Sequence, residues 1–109
     1  MDNPSSQLTV IVTSFADEKT ALCVVRTLVR ERLAACGTIL PKAHSTYLWQ
    51  GKIEEAAEAV VFFKTSQGLT EQCKLRLAEL HPYDVPEIFS LEPSAVDASY
   101  LAWLGEVLE

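Results

Sequence analysis

Positive charge is scarce in this 109-residue chain. Nine lysine and arginine side chains stand against 15 aspartates and glutamates, a formal net charge of −6 at pH 7. Phosphate-backbone binding needs clustered cations, so nucleic acid is excluded as a partner. Cysteine is sparse too. The three thiols, Cys23, Cys36 and Cys73, are odd in number and form no CxxC pair. That argues for reduced thiols in a cytoplasmic setting. No apolar run approaches the roughly 20 residues of a membrane span. The polar stretch 1–7 lacks the basic flank of a signal peptide. There is no GxGxxG, P-loop, nucleophile elbow or HExxH. Nothing pairs an obvious nucleophile with a base, so the expectation is a non-enzyme.

What is present supports one domain. The hydrophobic fraction is 49%, enough for a core, although a chain this short buries less of its surface than a longer one. Residues 1–7 read as a disordered tail and 8–109 as the domain. LTVIVTSF, residues 8–15, is β-branched and apolar on both faces, which predicts a central strand. Asp17 and Glu18 suit a helix N-terminus. Leu22, Val25, Val29 and Leu33 follow at helical spacing, with Gly37 helping to end the helix or start the next strand. Residues 36–50 read as extended and bent near Pro41, with a turn at Gly51-Lys52. Residues 59–65 make a third strand, so the two pair as a long hairpin. Leu69, Cys73, Leu77 and Leu80 mark a second helix, which must stop at Leu80 or His81 because Pro82 disfavours helix before it. Residues 87–91 predict a fourth strand and 98–108 a last helix, with Tyr100, Leu101, Leu104 and Leu108 inward.

The order β-α-β-β-α-β plus a C-terminal helix is the α+β, ferredoxin-like split βαβ arrangement. Both main helices would lie on one sheet face and leave the other bare. Since the strands are apolar on both sides, that bare face predicts self-association.

Four groups of residues are candidates for chemistry. His81-Pro82-Tyr83-Asp84-Val85-Pro86-Glu87 holds an imidazole and a carboxylate near two φ-restricting prolines. His81 either ligates a metal or caps the last helix carbonyls, and Tyr83 either lines a site or packs against a neighbour. Tyr47 and Trp49 share a strand face beside a glycine turn. They form cross-strand packing or one wall of a small-molecule cleft. Glu54, Glu55 and Glu58 either take a hard cation or keep a strand edge charged. Cys23 and Cys73 read as small core hydrophobes, Cys36 as buried or a soft ligand, and His44 as surface.

Several segments together resemble one family: Arg32-Leu33-Ala34-Ala35-Cys36, Tyr47-Leu48-Trp49-Gln50-Gly51-Lys52-Ile53, Lys64-Thr65, the 81–87 run, and Tyr100-Leu101-Ala102-Trp103. From about Leu8 to Leu108 the chain looks like the CutA-like divalent-cation tolerance family. The resemblance implies a homotrimer similar in architecture to nitrogen-regulatory PII signalling proteins. It also implies a cytoplasmic response to metal ions, with copper or another divalent cation as the bound species. Copper-linked residues in such relatives include a first-strand cysteine and a histidine at the end of the second helix. Here Thr13 takes the first place and Leu80-His81 the second. The resemblance therefore implies His81 as metal ligand, assisted by Glu87 or another subunit. The alternative it leaves is a PII-like small-molecule sensor, or a trimeric scaffold, without an obligatory metal. In the sensor, the inter-subunit clefts would be lined by Tyr47, Trp49, Lys64, Tyr83 and Glu87.

Overall fold

A computed structural model describes residues 7–108. Most of the expected tail lies outside the described residues. Gln7 lies within them, and its carbonyl accepts a hydrogen bond from the Gln67 N–H at 2.7 Å.

Alternating apolar side chains set the sheet. β1 (Leu8–Phe15) runs antiparallel to β3 (Lys52–Ser66), in a register from Leu8 opposite Ser66 to Phe15 opposite Ala59. β2 (Cys36–Trp49) and β4 (Ile88–Leu91) form the edges, giving the order β2-β3-β1-β4 with antiparallel neighbours. Ile11 and Phe15 of β1 share a face with Ala59, Val61 and Phe63 of β3. That face packs against Val24, Val25 and Leu28 of α1 (Glu18–Arg30) and Cys73 and Leu77 of α2 (Thr70–Leu80). The ferredoxin-like order is therefore the one the sequence predicts.

The helix ends show which local rules won. Asp17 is the N-cap of α1, its carboxylate accepting the Thr20 N–H at 2.7 Å. The C-terminus departs from expectation. Leu33 does not continue the helix, and of the two roles expected of Gly37 it takes the second, at the start of β2. Arg32 takes a φ of 60°, and the Arg32 and Leu33 N–H groups fold back to Val29 and Leu28 carbonyls, each at 3.0 Å. This is a Schellman closure with arginine where glycine is usual. Gly37 instead lies within β2 because α1 passes so close: a Cβ there would sit 2.9 Å from Val25 Cγ1. At the other helix, Leu80 is the last residue of α2 and His81 turns extended ahead of Pro82.

β3 is longer than its apolar pattern. Residues 52–58 lack a buried face, yet their backbone pairs with β2 up to Trp49–Lys52. Ladder hydrogen bonds need no apolar side chains, so periodicity understates the strand. The turn falls one residue earlier than expected, at Gln50-Gly51, both with positive φ as a tight hairpin loop requires. The bend near Pro41 is a register shift between Leu40 and Ala43, with Lys42 at φ 60°.

The second sheet face is not wholly bare. α3 (Ala98–Leu108) lies on it, with Tyr100 OH 3.7 Å from Cys36 Sγ and Leu104 fully buried. Tyr100 stays more than one-third exposed rather than inward. Leu40, Phe89 and Leu91 remain exposed there. Two cysteines differ from each other: Cys73 is buried as expected, whereas Cys23 faces solvent on α1.

Candidate functional site

The polar cluster of interest forms where β1 ends. Ser14 points away from the helices, opposite in strand parity to Phe15. It is buried, and its Oγ lies 3.2 Å from Glu58 Oε2 and 3.3 Å from Glu87 Oε2. Glu58 comes from β3, two residues before Val60, the cross-strand neighbour of Ser14. Glu87 immediately precedes β4, whose Ile88 pairs with Thr13. Three strands thus bring two carboxylates to one hydroxyl. A serine hydroxyl has one proton to donate, so it serves the two carboxylates by turns.

Tyr83 stands beside this group. Its phenol is pushed up, first by burial and then by the negative charges of Glu58, Tyr47 and Asp17. Tyr47 lies farther out, on the hairpin arm opposite Glu54. Glu58 also borders an open hollow of about 200 Å³ between the start of α1 and the β2 bend, with Asp17, Glu18 and Lys42 around it.

The other candidates lie elsewhere in the subunit. Lys64 donates to Thr38 Oγ1 at 2.6 Å and to the Phe62 carbonyl at 3.4 Å. It sits opposite Val10, four residues along β1 from Ser14 and so about 13 Å away at ~3.3 Å per residue. Trp49 is at the hairpin tip beside Leu48. Eight β3 residues separate its partner Lys52 from Val60, about 26 Å on the same spacing. Glu55 is held by His44 Nε2 at 2.8 Å on the exposed arm.

His81 is occupied on both ring nitrogens. Nε2 lies 2.8 Å from the Ser14 carbonyl oxygen, and Nδ1 lies 3.2 Å from the Tyr83 amide nitrogen. A carbonyl only accepts and an amide only donates, so the ring is the neutral Nε2–H tautomer. It stacks on Phe15 with ring centres 4.4 Å apart and planes 12° apart, and is 7% exposed. Burial lowers its pKa, opposed by the bond to Ser14. A metal on Nδ1 would have to displace the Tyr83 N–H. The capping alternative holds for its backbone, whose N–H donates to the Leu77 carbonyl at 2.9 Å at the end of α2, while the ring bonds to Ser14 and Tyr83.

The donor set fits some cations better than others. Among the described residues no group of three or more His, Cys, Asp or Glu side chains could hold a metal. Thr13 Oγ1 is buried without a hydrogen-bond partner on the helix side. The Cys73 thiol is fully enclosed in the helix-side core, and burial pushes it up to about 12. Neither the Cys73 sulfur nor the engaged His81 ring presents a free soft or imidazole donor beside the Ser14 cluster. Two convergent carboxylates are oxygen donors, which suit hard divalent cations that keep much of their water.

Ser14 was the residue that sequence reasoning missed. A serine at the end of an apolar strand carries no motif. Strand parity puts Glu58 on the same face as Glu54, but only the inter-strand register puts Glu58, Ser14 and Glu87 side by side.

No helix among the described residues is long and apolar enough to cross a membrane. Comparison with known proteins gives a consistent result. Residues 9–107 match the family described as CutA1 divalent ion tolerance protein. The divalent-cation tolerance protein CutA of Pyrococcus horikoshii is 44% identical over 97 residues, covering 89% of this chain and 94% of the relative. That of Pectobacterium atrosepticum is 36% identical over 107 residues, covering 98% and 97%. The crystal structure of CutA from Xylella fastidiosa superposes with a TM-score of 0.91 at 39% identity, covering 94% of this chain and 99% of that one. With the family match spanning nearly the whole domain, and with relatives alike in sequence and in fold, the chain belongs to the CutA1 divalent ion tolerance family.

Proposed function

We propose that this protein serves divalent-cation tolerance as a cytoplasmic, non-enzymatic homotrimer that contacts the cation through Glu58 and Glu87. The observation that carries this reading is the meeting of both carboxylates at the Ser14 hydroxyl. A divalent cation between them would neutralise two like charges that a single hydroxyl proton cannot. Water, or a side chain from a neighbouring copy, would fill the remaining coordination positions. Copper is the less favoured ion here, since the His81 nitrogens are both engaged. If copper is bound, His81 must first release Tyr83.

The trimer is supported by the hairpin arm. Among the described residues the backbone of 43–49 pairs only with that of 52–58, and β1 pairs with β3 only from Ala59 onward. Leu48 is 75% and Ile53 73% exposed on that arm. An isolated two-stranded hairpin is marginal in water, so burial against another copy is the natural completion. A second reading, a PII-like sensor of a small molecule without an obligatory metal, is favoured by the exposed Tyr47 and Trp49 rings on the arm.

Isothermal titration with Mn(II) tests the first reading. Glu58→Gln and Glu87→Gln should each weaken binding by about tenfold or more, as ligand loss at a two-carboxylate site requires. Wild-type affinity in both variants would sink it. A thermal-shift screen with small anionic metabolites and nucleotides tests the second, since native-state binding raises stability. Light scattering should give three times the chain mass; a monomer at micromolar concentration refutes the trimer.

A further inference from the structure

β4 stops pairing with β1 at Ile88–Thr13. Ser14 and Glu87 each lie one residue beyond that last pair, so the ladder does not by itself hold them together. We propose that His81 is a positioning residue: it fastens the end of β1 to the 82–87 loop and thereby sets where Glu87 meets the Ser14 hydroxyl. This rests on the reading of Glu58 and Glu87 as the cation-contacting pair.

The geometry is specific. His81 sits on the helix side of the sheet, against Phe15, while Ser14 Oγ points to the other side. The ring therefore acts through backbone. Its Nε2–H donates to the carbonyl of Ser14, and its Nδ1 accepts from the N–H of Tyr83. One rigid ring joins the end of β1 to the loop's second residue. Pro82 and Pro86 restrict φ on either side, so fixing Tyr83 limits where Glu87 can go. The ring also stacks on Phe15 at 4.4 Å and meets the tilted ring of Tyr83 at 4.8 Å. Outer groups that orient ligands in this way commonly matter to metal affinity about 10- to 100-fold.

Two substitutions separate positioning from mere space-filling. His81→Phe keeps the ring and its stacking but loses both hydrogen bonds. His81→Gln loses the ring but places an amide N–H where Nε2–H donates. A space-filling role predicts that phenylalanine is tolerated and glutamine is not; positioning predicts the reverse.

The experiment is Mn(II) titration of the full chain, followed by water-proton relaxation, with Glu87→Gln alongside. His81→Phe should weaken Mn(II) binding about tenfold or more, and His81→Gln should recover most of it. If His81→Phe binds like wild type while Glu87→Gln is impaired, positioning is overturned and the carboxylate pair stands. If Glu87→Gln is unimpaired, or the wild type binds no Mn(II), the carboxylate reading fails instead. Crystal structures of wild type and His81→Phe then decide the positioning claim without metal. Separation of Glu87 from Ser14 Oγ supports it, and an unchanged contact overturns it. Should His81→Phe not fold, His81→Asn replaces it in both measurements, because it can serve Tyr83 N–H but is too short to reach the Ser14 carbonyl.

Discussion

β3 is one continuous strand with two unlike halves. In residues 59–66 every second side chain is buried between β1 and the helices, with Val61 and Phe63 fully enclosed. In residues 52–58 the same backbone geometry continues, but the side chains are exposed or half-buried and the backbone pairs with β2 alone. The comparison separates two sources of strand formation. The first half is held by apolar burial, at about 25 cal/mol per Å². The second is held by ladder hydrogen bonds, whose net contribution in water is small. An arm of the second kind stays ordered when something else covers it, and Leu48, Trp49 and Ile53 are what it offers.

Substitutions in the two halves should therefore fail differently. Phe63→Ala removes a fully buried ring and should cost about 3–5 kcal/mol in guanidinium unfolding. The paired change Leu48→Ala with Ile53→Ala should leave the far-UV spectrum intact. It should weaken assembly about a hundredfold in sedimentation, which corresponds to ~2.7 kcal/mol. If it instead unfolds the subunit and leaves the oligomer mass unchanged, the contrast between the halves is wrong. Gly51→Ala acts at the turn, where φ is +79° and there is open space around the missing Cβ. It should cost only about 1 kcal/mol, read from the same unfolding curves.

The smallest expected effect belongs to pH and to the buried half. His81 is neutral and buried, with a folded pKa below its ordinary value of 6.5. The unfolded chain therefore takes up the proton first as pH falls. Stability is unaffected by this group well above pH 6.5. It declines as pH drops below 6.5 and levels off once the folded state is protonated as well. Unfolding midpoints between pH 8 and 5 should show this decline in wild type and not in His81→Gln. The His44–Glu55 pair on the arm is solvent-exposed on both sides and should contribute little to it.

Much of the fold was legible before any coordinates. Pro82 ended α2 where its steric rule requires, Asp17 capped α1, and the double-faced apolar run placed β1 centrally. The misses share a cause. Arg32 closed α1 in a conformation usually left to glycine, and β3 ran seven residues past its apolar pattern. In both cases backbone hydrogen bonds decided the outcome, and side-chain periodicity does not report them. Cys23 reads as a small core hydrophobe by residue type yet faces solvent, because the buried stripe is Ala21, Val24, Val25 and Leu28.

The site divides the same way. The order of elements, the family motifs and the presence of His81 and Glu87 in one proline-limited segment were determined by the amino-acid sequence, because local sterics and apolar spacing act over a few residues. The meeting of Ser14, Glu58 and Glu87, and the burial of His81 against Phe15, were decided only by tertiary structure. They depend on the register of three strands whose pairing residues lie 44 and 73 positions from Ser14. No local rule spans that distance; packing of the whole sheet does.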